Sequence, residues 1–244
     1  MQADPPILVA QGLHKRFGAL VVLDGVGLTI AKGEALGIVG PNGAGKTTLL
    51  SLLSGAQPPN AGSIQFKGAD VTPLNAAARC RLGLVRTHQI PRPFSGMTVF
   101  ENVNVAAGQT RGRSRNDAHD LAVDALTLCG MLRVANRPAE SLGLLDRKRL
   151  ELARAMATRP ELLLLDEIGG GLTDAEAGEL VATIRELRQR GVSIVWIEHI
   201  VHVLLQVAER LICMDAGKII ADGEPRAVLA DAGVVAAYLG GVAA

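Results

Sequence analysis

The segment from Gly40 to Thr48 constrains this chain more than any other stretch. It reads Gly-Pro-Asn-Gly-Ala-Gly-Lys-Thr-Thr, which has the form G-x-x-x-x-G-K-T of a phosphate-binding P-loop. Such a loop needs a strand before it and a helix after it. The apolar run Ala35–Val39 predicts the strand, and Thr48–Leu53 predicts the helix. We therefore predict that the chain binds a nucleoside triphosphate at this loop.

The chemistry of the loop depends on its glycines and on two polar residues near its end. The glycines let the backbone turn tightly and point successive N–H groups inwards. The amine of Lys46 can reach the β- and γ-phosphates, and the hydroxyl of Thr47 can hold Mg²⁺. The positive end of the following helix would also face the phosphates. The candidate nucleotide-binding residues are Gly40, Pro41, Asn42, Gly43, Ala44, Gly45, Lys46, Thr47 and Thr48.

Composition narrows the class of protein. The 244 residues include 25 Lys and Arg against 24 Asp and Glu, and this balance argues against a dedicated nucleic-acid binder, which has a basic excess. A hydrophobic content of 48% indicates a sheet buried on both faces. We expect no membrane span and no signal peptide, because the apolar runs are short and the first residues lack the required pattern. Cys80, Cys129 and Cys213 lack metal-ligand spacing, so we expect reduced structural thiols of a cytosolic protein.

The remaining pattern predicts an α/β domain with a helical insertion. Alternating residues from Ile7 to Ile30 predict antiparallel strands at a sheet edge. The block from Pro91 to Thr158 is mostly helical, and its basic stretch Arg111–Arg115 favours a solvated loop over a nucleic-acid patch. The predicted helices after the P-loop helix include Pro73–Arg81, Val99–Ala107 with a capping box of Thr98 and Glu101, Asn116–Met131, Asp146–Thr158 with Asp146 as N-cap, and Asp174–Arg190.

Four residues with reactive or metal-binding side chains stand where predicted strands end. Asp166 and Glu167 close the apolar run Leu162–Leu165, and His199 and Gln89 follow two further strands. Ligands of open α/β sheets bind beyond the carboxyl ends of the strands. Asp166 suits Mg²⁺, Glu167 suits the polarisation of an attacking water, and His199 suits a contact with the γ-phosphate. Gln89 alone indicates only a polar loop residue.

Phe17 is the candidate for contact with a nucleobase. Aromatic residues make up 2% of the chain, and Phe17 lies close to a predicted turn between strands. Stacking on a nucleobase and packing at the sheet edge are equally compatible with the sequence.

Taken together, these residues resemble the nucleotide-binding subunit of an ABC transporter. The matching positions are Lys46 and Thr47 in its Walker A motif, Gln89 in its Q-loop, Asp166 at the end of its Walker B strand, Glu167 as its catalytic glutamate and His199 as its switch histidine. Phe17 falls where the family stacks an aromatic residue on adenine. The segments 86–89, 94–103 and 237–240 resemble, more narrowly, the ATPases of branched-chain amino-acid uptake.

The resemblance implies one cassette over residues 1–244. Its α/β fold would be that of a P-loop NTPase, with a RecA-like core and an antiparallel β-edge subdomain (1–89 and 159–244) and an inserted helical subdomain at about 90–158. It implies ATP and Mg²⁺ as cofactors. The metal would lie near Thr47, Gln89 and Asp166, and the catalytic residues would be Glu167, His199 and Gln89. The implied function is the ATP-hydrolysing subunit of an importer for branched-chain or related amino acids.

The same resemblance implies an assembly. Two ATP-binding subunits, identical or different, would close head to tail around two ATP molecules and drive two transmembrane permease subunits. A periplasmic or extracellular solute-binding protein would deliver the solute. The chain would then be a peripheral subunit at the cytoplasmic face of the inner (plasma) membrane, with no nucleic-acid partner.

One segment departs from the family pattern. Where the family signature reads approximately Leu-Ser-Gly-Gly-Gln, this chain has Leu-Gly-Leu-Leu-Asp at Leu142–Asp146. The serine is missing and an acid replaces the glutamine. The acid would repel the partner's ATP phosphates unless Arg147 or the helix end offsets it. A shift of two residues would use Ser141 and Gly143 instead, and would lengthen the following helix.

Alternative functions stay open. A regulatory subunit that binds ATP but scarcely hydrolyses it, in an asymmetric heterodimer, is compatible with the altered signature, whereas Glu167 and His199 argue against it. An importer ATPase for another small solute, such as an amide, is also compatible, because importer specificity lies in other chains. A mechanical ATPase acting on nucleic acid is disfavoured, since such proteins usually carry two cassettes or long coiled coils.

Overall fold

Two sheets organise residues 5–109 and 115–240, which are the residues that the computed structural model describes. The strands, in chain order, are β1 (Leu8–Phe17), β2 (Leu20–Ile30), β3 (Ala35–Val39), β4 (Ala61–Phe66), β5 (Ala69–Asp70), β6 (Leu84–Arg86), β7 (Leu162–Asp166), β8 (Ser193–Ile197), β9 (Arg210–Asp215) and β10 (Lys218–Gly223). The helices are α1 (Lys46–Leu53), α2 (Ala76–Arg81), α3 (Val99–Ala107), α4 (Arg115–Leu128), α5 (Leu144–Ala157), α6 (Asp174–Gln189), α7 (Val201–Leu204), α8 (Pro225–Ala230) and α9 (Ala232–Gly240).

The larger sheet positions the candidate site. Its order is β10-β9-β3-β8-β7-β6, and all neighbours are parallel except β9 and β10. Every residue of β3, β7 and β8 is buried, which matches the continuous apolar sequences of strands covered on both faces. Because β3, β6, β7 and β8 run parallel, their carboxyl ends lie at one edge of the sheet. The loops that follow these strands therefore meet at that edge.

The smaller sheet is antiparallel, with the order β2-β1-β4-β5, as the alternating N-terminal sequence predicts. One hydrophobic cluster joins Leu13 and Leu23 of this sheet to Leu49 of α1 and to Ile38 of β3. Helix α1 is therefore packed between the two sheets. This packing fixes the helix that follows the P-loop from both sides.

The helical block shares its core with the larger sheet. Val99 and Val103 of α3 belong to the same hydrophobic cluster as Leu163 of β7. The capping box of Thr98 and Glu101 is present at the start of α3, as predicted. The division of the chain at about residues 90 and 158 stays a prediction, because a continuous core crosses it.

Some element ends differ from those that the sequence predicts. Helix α1 begins at Lys46 rather than Thr48, and α2 begins at Ala76 rather than Pro73. Strand β5 was not predicted, since two residues carry no detectable pattern. Of the basic stretch 111–115, only Arg115, the first residue of α4, lies within the described residues.

The prediction that Asp146 is the N-cap of α5 is wrong. Gly143 occupies the N-cap position, and Asp146 lies in the first turn of the helix. Its Oδ1 is 3.6 Å from Nη1 of Arg149. Acidic residues are favourable both at the N-cap and in the first turn, so residue preference alone does not fix where this helix begins.

The three cysteines are free thiols. Burial raises the pKa of Cys129 to about 12 and that of Cys213 to about 11, so both stay protonated at neutral pH. This agrees with the structural thiols that the sequence predicts. Within the described ranges, no helix is both long and apolar enough to cross a membrane.

Arg79 links α2 to α1 through backbone carbonyls. Its side chain is fully buried. The guanidinium donates to the carbonyl oxygens of Leu52 and Leu53 at 2.7 Å each, of Leu74 at 3.0 Å and of Thr72 at 3.1 Å. One cation thereby satisfies the carbonyls at the end of the helix that begins at the P-loop.

We expect Arg79→Met to lower the free energy of unfolding by about 3 kcal/mol or more, because buried carbonyls lose a charged donor. Urea denaturation measures this change. Arg81→Met is the matched control, since Arg81 is exposed in the same helix and its loss should change stability by less than about 0.5 kcal/mol. Equal effects of the two substitutions would contradict the structural role of Arg79.

Candidate nucleotide site

The loop between β3 and α1 requires glycine at two positions. Gly40 has a φ of 141° and Gly45 a φ of 98°. A Cβ atom on Gly40 would lie 2.0 Å from the carbonyl oxygen of Met214 in β9, so no side chain fits there. Gly45 is the N-cap of α1 and makes no side-chain capping bond. The first N–H groups of α1 therefore point at the space in front of the loop, where an anion would bind.

The side chain of Lys46 folds back onto the loop that precedes it. Its Nζ donates to the carbonyl oxygens of Gly40 at 2.7 Å and Pro41 at 2.9 Å, and its side chain is buried. Burial lowers the pKa of Lys46, whereas the negative charge of Glu167 raises it. An anionic ligand beside this amine would compensate the buried positive charge.

Two adjacent cavities bring the predicted site residues together. The first, of about 220 Å³, is lined by P-loop residues 42–48 and Val22 together with Glu167 and His199. The second, of about 430 Å³, contains Thr47, Gln89 and Asp166 among its lining residues. Thr47 borders both cavities. The carboxyl-end residues of β6, β7 and β8 thus face the P-loop, as the parallel topology predicts.

Glu167 is held between two other predicted site residues. Its Oε2 accepts from Gln89 Nε2 at 2.5 Å, and its Oε1 lies 2.7 Å from His199 Nε2. Glu167 has a φ of 47°, a left-handed conformation that non-glycine residues seldom adopt. Its N–H donates to the carbonyl of Ile197 at 2.9 Å, so β8 helps to hold this backbone.

Asp166 is buried and only partly hydrogen-bonded. Its Oδ2 accepts from Arg86 Nη2 at 2.6 Å, while its Oδ1 has no hydrogen-bond partner among the described residues. The Thr47 hydroxyl borders the same cavity. A carboxylate oxygen and a hydroxyl are the hard ligands that Mg²⁺ prefers. These residues therefore fit a magnesium ion bound together with a nucleotide.

Two buried charges connect the loops of this edge. The Glu198 carboxylate accepts from the N–H groups of Gly169 at 2.9 Å and His199 at 3.1 Å. Nζ of Lys148, in α5, donates to the Glu167 carbonyl at 3.3 Å. Burial lowers the pKa of Lys148, and the charge of Glu198 raises it. Sequence reasoning assigned no role to either residue, because the contacts of Glu198 with Gly169 and of Lys148 with Glu167 join separate parts of the chain.

Arg86 and Tyr238 are two further neighbours of the site that sequence reasoning missed. Arg86 contacts Asp166, as described above, and the Tyr238 hydroxyl accepts from the N–H of Gly40 at 2.8 Å. A sequence signal for Arg86 exists, because it is a charged residue at the carboxyl end of a predicted strand. Tyr238 lies in the segment 237–240 that resembles the family, but no local signal indicates its contact with Gly40, since 198 positions separate the two residues.

Phe17 lies outside both cavities. It is not among the described residues that line them, and 47% of its surface is exposed. Nζ of Lys15 is 5.2 Å from the centre of its ring. This exposure argues against a packed residue at the sheet edge, and stacking on adenine stays a prediction.

The altered signature segment forms the start of α5. Ser141 ends the 3-10 turn Ala139–Ser141, and Gly143 caps the helix without a side-chain bond. The helix does not extend back to Ser141, which favours the unshifted alignment. Arg147 donates to the carbonyls of Leu142 at 2.8 Å and Glu140 at 2.9 Å. The neighbouring cation that offsets Asp146 is therefore Arg149 rather than Arg147.

Comparison with known proteins identifies the family. The family model described as ABC transporter matches residues 23–169, more than half of the chain. The chain belongs to the ABC transporter family. This cassette is 36% identical to the "High-affinity branched-chain amino acid transport ATP-binding protein LivG" of Salmonella typhimurium, over 96% of this chain and 98% of the relative. The relative BraF of Pseudomonas aeruginosa carries the same description and shows the same identity and coverage.

A solved structure supports the same assignment. The crystal structure of the ADP conformation of an ATP-binding cassette of an ABC transporter matches with a TM-score of 0.88 at 30% identity, over 97% of this chain and 100% of that one. The α/β cassette fold and the family resemblance predicted from the sequence are confirmed. The cassette is a nucleotide-binding ATPase of the kind that is coupled to transport.

We expect Tyr238→Phe to lower the free energy of unfolding by about 1 kcal/mol, because the buried N–H of Gly40 loses its acceptor. For a chain of this size, the melting temperature would fall by about 2–4 °C, which calorimetry measures. Val235→Ala is the control, since Val235 is an exposed residue of the same helix. An unchanged melting temperature in Tyr238→Phe would show that the contact contributes nothing.

Proposed function

We propose that this cassette is the ATP-hydrolysing subunit of an ABC importer for branched-chain or related amino acids. The observation that carries the proposal is the position of Glu167, whose carboxylate borders the P-loop cavity between Gln89 and His199. A carboxylate there can accept a proton from a water that attacks the γ-phosphate. The similarity to LivG and BraF, whose names specify branched-chain amino-acid transport, supports the importer class and its substrate.

The P-loop would bind the triphosphate of ATP. The N–H groups at the start of α1 would donate to phosphate oxygens. The amine of Lys46 would exchange the carbonyls of Gly40 and Pro41 for the β- and γ-phosphates. The charge of the phosphates would favour this exchange, because it compensates a buried cation.

Thr47, Gln89 and Asp166 are the residues that we propose near Mg²⁺. All three line one cavity, and Asp166 offers an oxygen that is buried and unpartnered among the described residues. When bound, Mg²⁺ neutralises charge that develops on the phosphates. Asp166 is the last residue of β7, so the strand would keep its carboxylate at this position.

Gln89 and His199 would orient the Glu167 carboxylate. Each lies within hydrogen-bond distance of one of its two oxygens, so the carboxylate cannot rotate freely. With ATP bound, His199 would move its ring N–H to the γ-phosphate, since its side chain borders the same cavity. Glu167 would then keep one oxygen for water.

The cassette would work as one of a pair. We propose that a second ATP-binding subunit, identical or different, closes on the P-loop cavity, and that two transmembrane permease subunits receive the resulting motion. A solute-binding protein on the other side of the membrane would deliver the amino acid. The chain would act at the cytoplasmic face of the membrane as a peripheral subunit.

With a different partner chain that carries an unaltered signature, the two ATP sites of the pair would be unequal, whereas two copies of this chain would form two equal sites. The site that uses this P-loop, Glu167 and His199 would face the partner's signature. The reciprocal site would face the start of α5, where Gly143 supplies no hydroxyl and Asp146 adds a carboxylate. Arg149 offsets this charge only in part, since its guanidinium also binds Glu179 at 2.5 Å. This feature also favours the alternative of a regulatory subunit with weak hydrolysis.

We expect Glu167→Gln to reduce ATP turnover by at least about 100-fold while ATP still binds, because the general base is lost. Phosphate release and nucleotide binding are measured on the same preparation. The matched control is Glu161→Gln, an acid at the opposite end of β7 that pairs with Lys67. Turnover that survives in Glu167→Gln would contradict the assigned role.

The asymmetry is tested in the reconstituted transporter. Glu167→Gln in this chain and the matching change in its partner subunit are compared separately for ATP turnover. We expect the larger loss from the change in this chain; equal losses would argue against unequal sites.

Uptake of labelled leucine, other amino acids and amides into the same proteoliposomes identifies the solute, and transport of amides alone would contradict the amino-acid assignment.

Phe17→Ala should weaken ATP binding by about 3- to 10-fold if its ring stacks on adenine. Binding of inorganic triphosphate should not change, because triphosphate has no base. Leu20→Ala is the control, since Leu20 is exposed and pairs with Phe17 across the two strands. A similar loss for both ligands would place the effect at the phosphates instead.

A further inference from the structure

Arg86 forms the closest ion pair at the magnesium face of the site. Its Nη2 donates to Asp166 Oδ2 at 2.6 Å, and its Nη1 donates to Ser51 Oγ at 2.9 Å. The side chains of the pair are 15% and 2% exposed, so solvent screens their attraction only weakly. Arg86 ends β6 and Asp166 ends β7, two adjacent parallel strands. The contact therefore belongs to the core of the site rather than to its surface.

The same arginine is tied to the helix that carries Thr47. Ser51 stands one turn after Thr47 in α1, and its Oγ donates to the Thr47 carbonyl at 2.8 Å. The guanidinium thus joins the two groups that we propose near Mg²⁺, Thr47 through Ser51 and Asp166 directly. Arg86 itself lines the cavity that holds both residues.

A divalent cation and this guanidinium compete for one carboxylate. Asp166 already neutralises one positive charge through Oδ2, and a cation at Oδ1 would place two further charges beside Arg86. In a partly buried site, like charges at such short range repel strongly. The negative phosphates of a nucleotide reverse this balance, because they compensate both cations.

Space next to Arg86 would accommodate a displaced guanidinium. A cavity of about 150 Å³ borders Arg86 on another side, and Ser54, Ala56 and Cys80 are among its lining residues. The Nε atom of Arg86 has no hydrogen-bond partner among the described residues. The arginine is therefore fixed by its two Nη contacts, and loss of the Asp166 contact frees it to turn.

We propose that Arg86 competes with the cation for Asp166 and so makes the metal site depend on nucleotide. It occupies Asp166 in the nucleotide-free cassette and raises the Mg²⁺ concentration that the site requires, until phosphate charge favours the exchange. This inference rests on the proposed function, because it assumes that Asp166 serves Mg²⁺. Its readout is cation binding rather than ATP turnover.

The test compares Arg86→Gln with the wild-type chain. Binding of a fluorescent ADP analogue is titrated with Mg²⁺, and is also measured in EDTA. We expect the half-saturating Mg²⁺ concentration to fall by about tenfold in Arg86→Gln, since one positive charge no longer opposes the cation. In EDTA we expect the analogue to bind no more tightly than to the wild type, because that same charge no longer attracts its phosphates. A merely structural role would shift both conditions in the same direction.

A matched control and a second variant keep the test decisive. Arg154→Gln removes the same charge from the same cavity, but Arg154 contacts Glu151 rather than Asp166, so its Mg²⁺ requirement should stay at the wild-type value. Arg86→Lys retains the charge and should keep a Mg²⁺ requirement close to that of the wild type. If the glutamine variant does not fold, Arg86→Met removes the charge while keeping a long side chain and carries the same expectation. Binding of Mn²⁺ alone, followed by electron paramagnetic resonance, should be detectable at lower concentration in Arg86→Gln than in the wild type.

Two results would overturn the proposal. An unchanged Mg²⁺ requirement in Arg86→Gln would show that Arg86 does not compete with the cation, and an increased one would show that it holds Asp166 in the metal-binding orientation. The wild-type titration distinguishes a failure of this proposal from a failure of the proposed function. A wild-type chain that binds the ADP analogue with no dependence on Mg²⁺ would contradict the magnesium site itself, whatever Arg86 does.

Discussion

The parallel register of β7 with its two neighbours fixes the positions of Arg86, of Asp166 and of the residues that follow β7 and β8. Arg86 of β6 pairs with Leu164, and Asp166 pairs with Ile197 of β8. The residues that follow these strands are therefore brought to one edge, opposite the P-loop. A slip of one residue would reverse the faces of β7.

Sequence reasoning identifies the parts of the candidate site that depend on local order. The P-loop and the acids at the end of β7 are recognisable because each role follows from neighbours in the chain. Contacts such as Arg86 with Asp166 depend on which strands are adjacent, and 80 positions separate the two residues. The wrong prediction of Asp146 as the N-cap has another origin. Acidic residues are favourable at several positions near the start of a helix, whereas the backbone conformation of Gly143 determines where α5 begins.

Two hydrogen bonds connect helix α5 of the helical block to the candidate site. Glu151 of α5 accepts from the N–H of His88 at 3.1 Å, one residue before Gln89. Lys148, one turn earlier in the same helix, contacts the carbonyl of Glu167. A shift of α5 relative to the sheet would therefore move both Gln89 and Glu167.

The left-handed backbone of Glu167 has a consequence for turnover. A non-glycine residue in that conformation costs about 1 kcal/mol or more, and the N–H bond to Ile197 and the carbonyl contacts to Gly170 and Lys148 hold it there. The free-energy cost of this torsion therefore arises when the chain folds, and it does not recur each time that ATP binds. In the role that we propose for Glu167, its backbone would already be fixed when ATP binds, so this part of the site would need little reorganisation before water attacks.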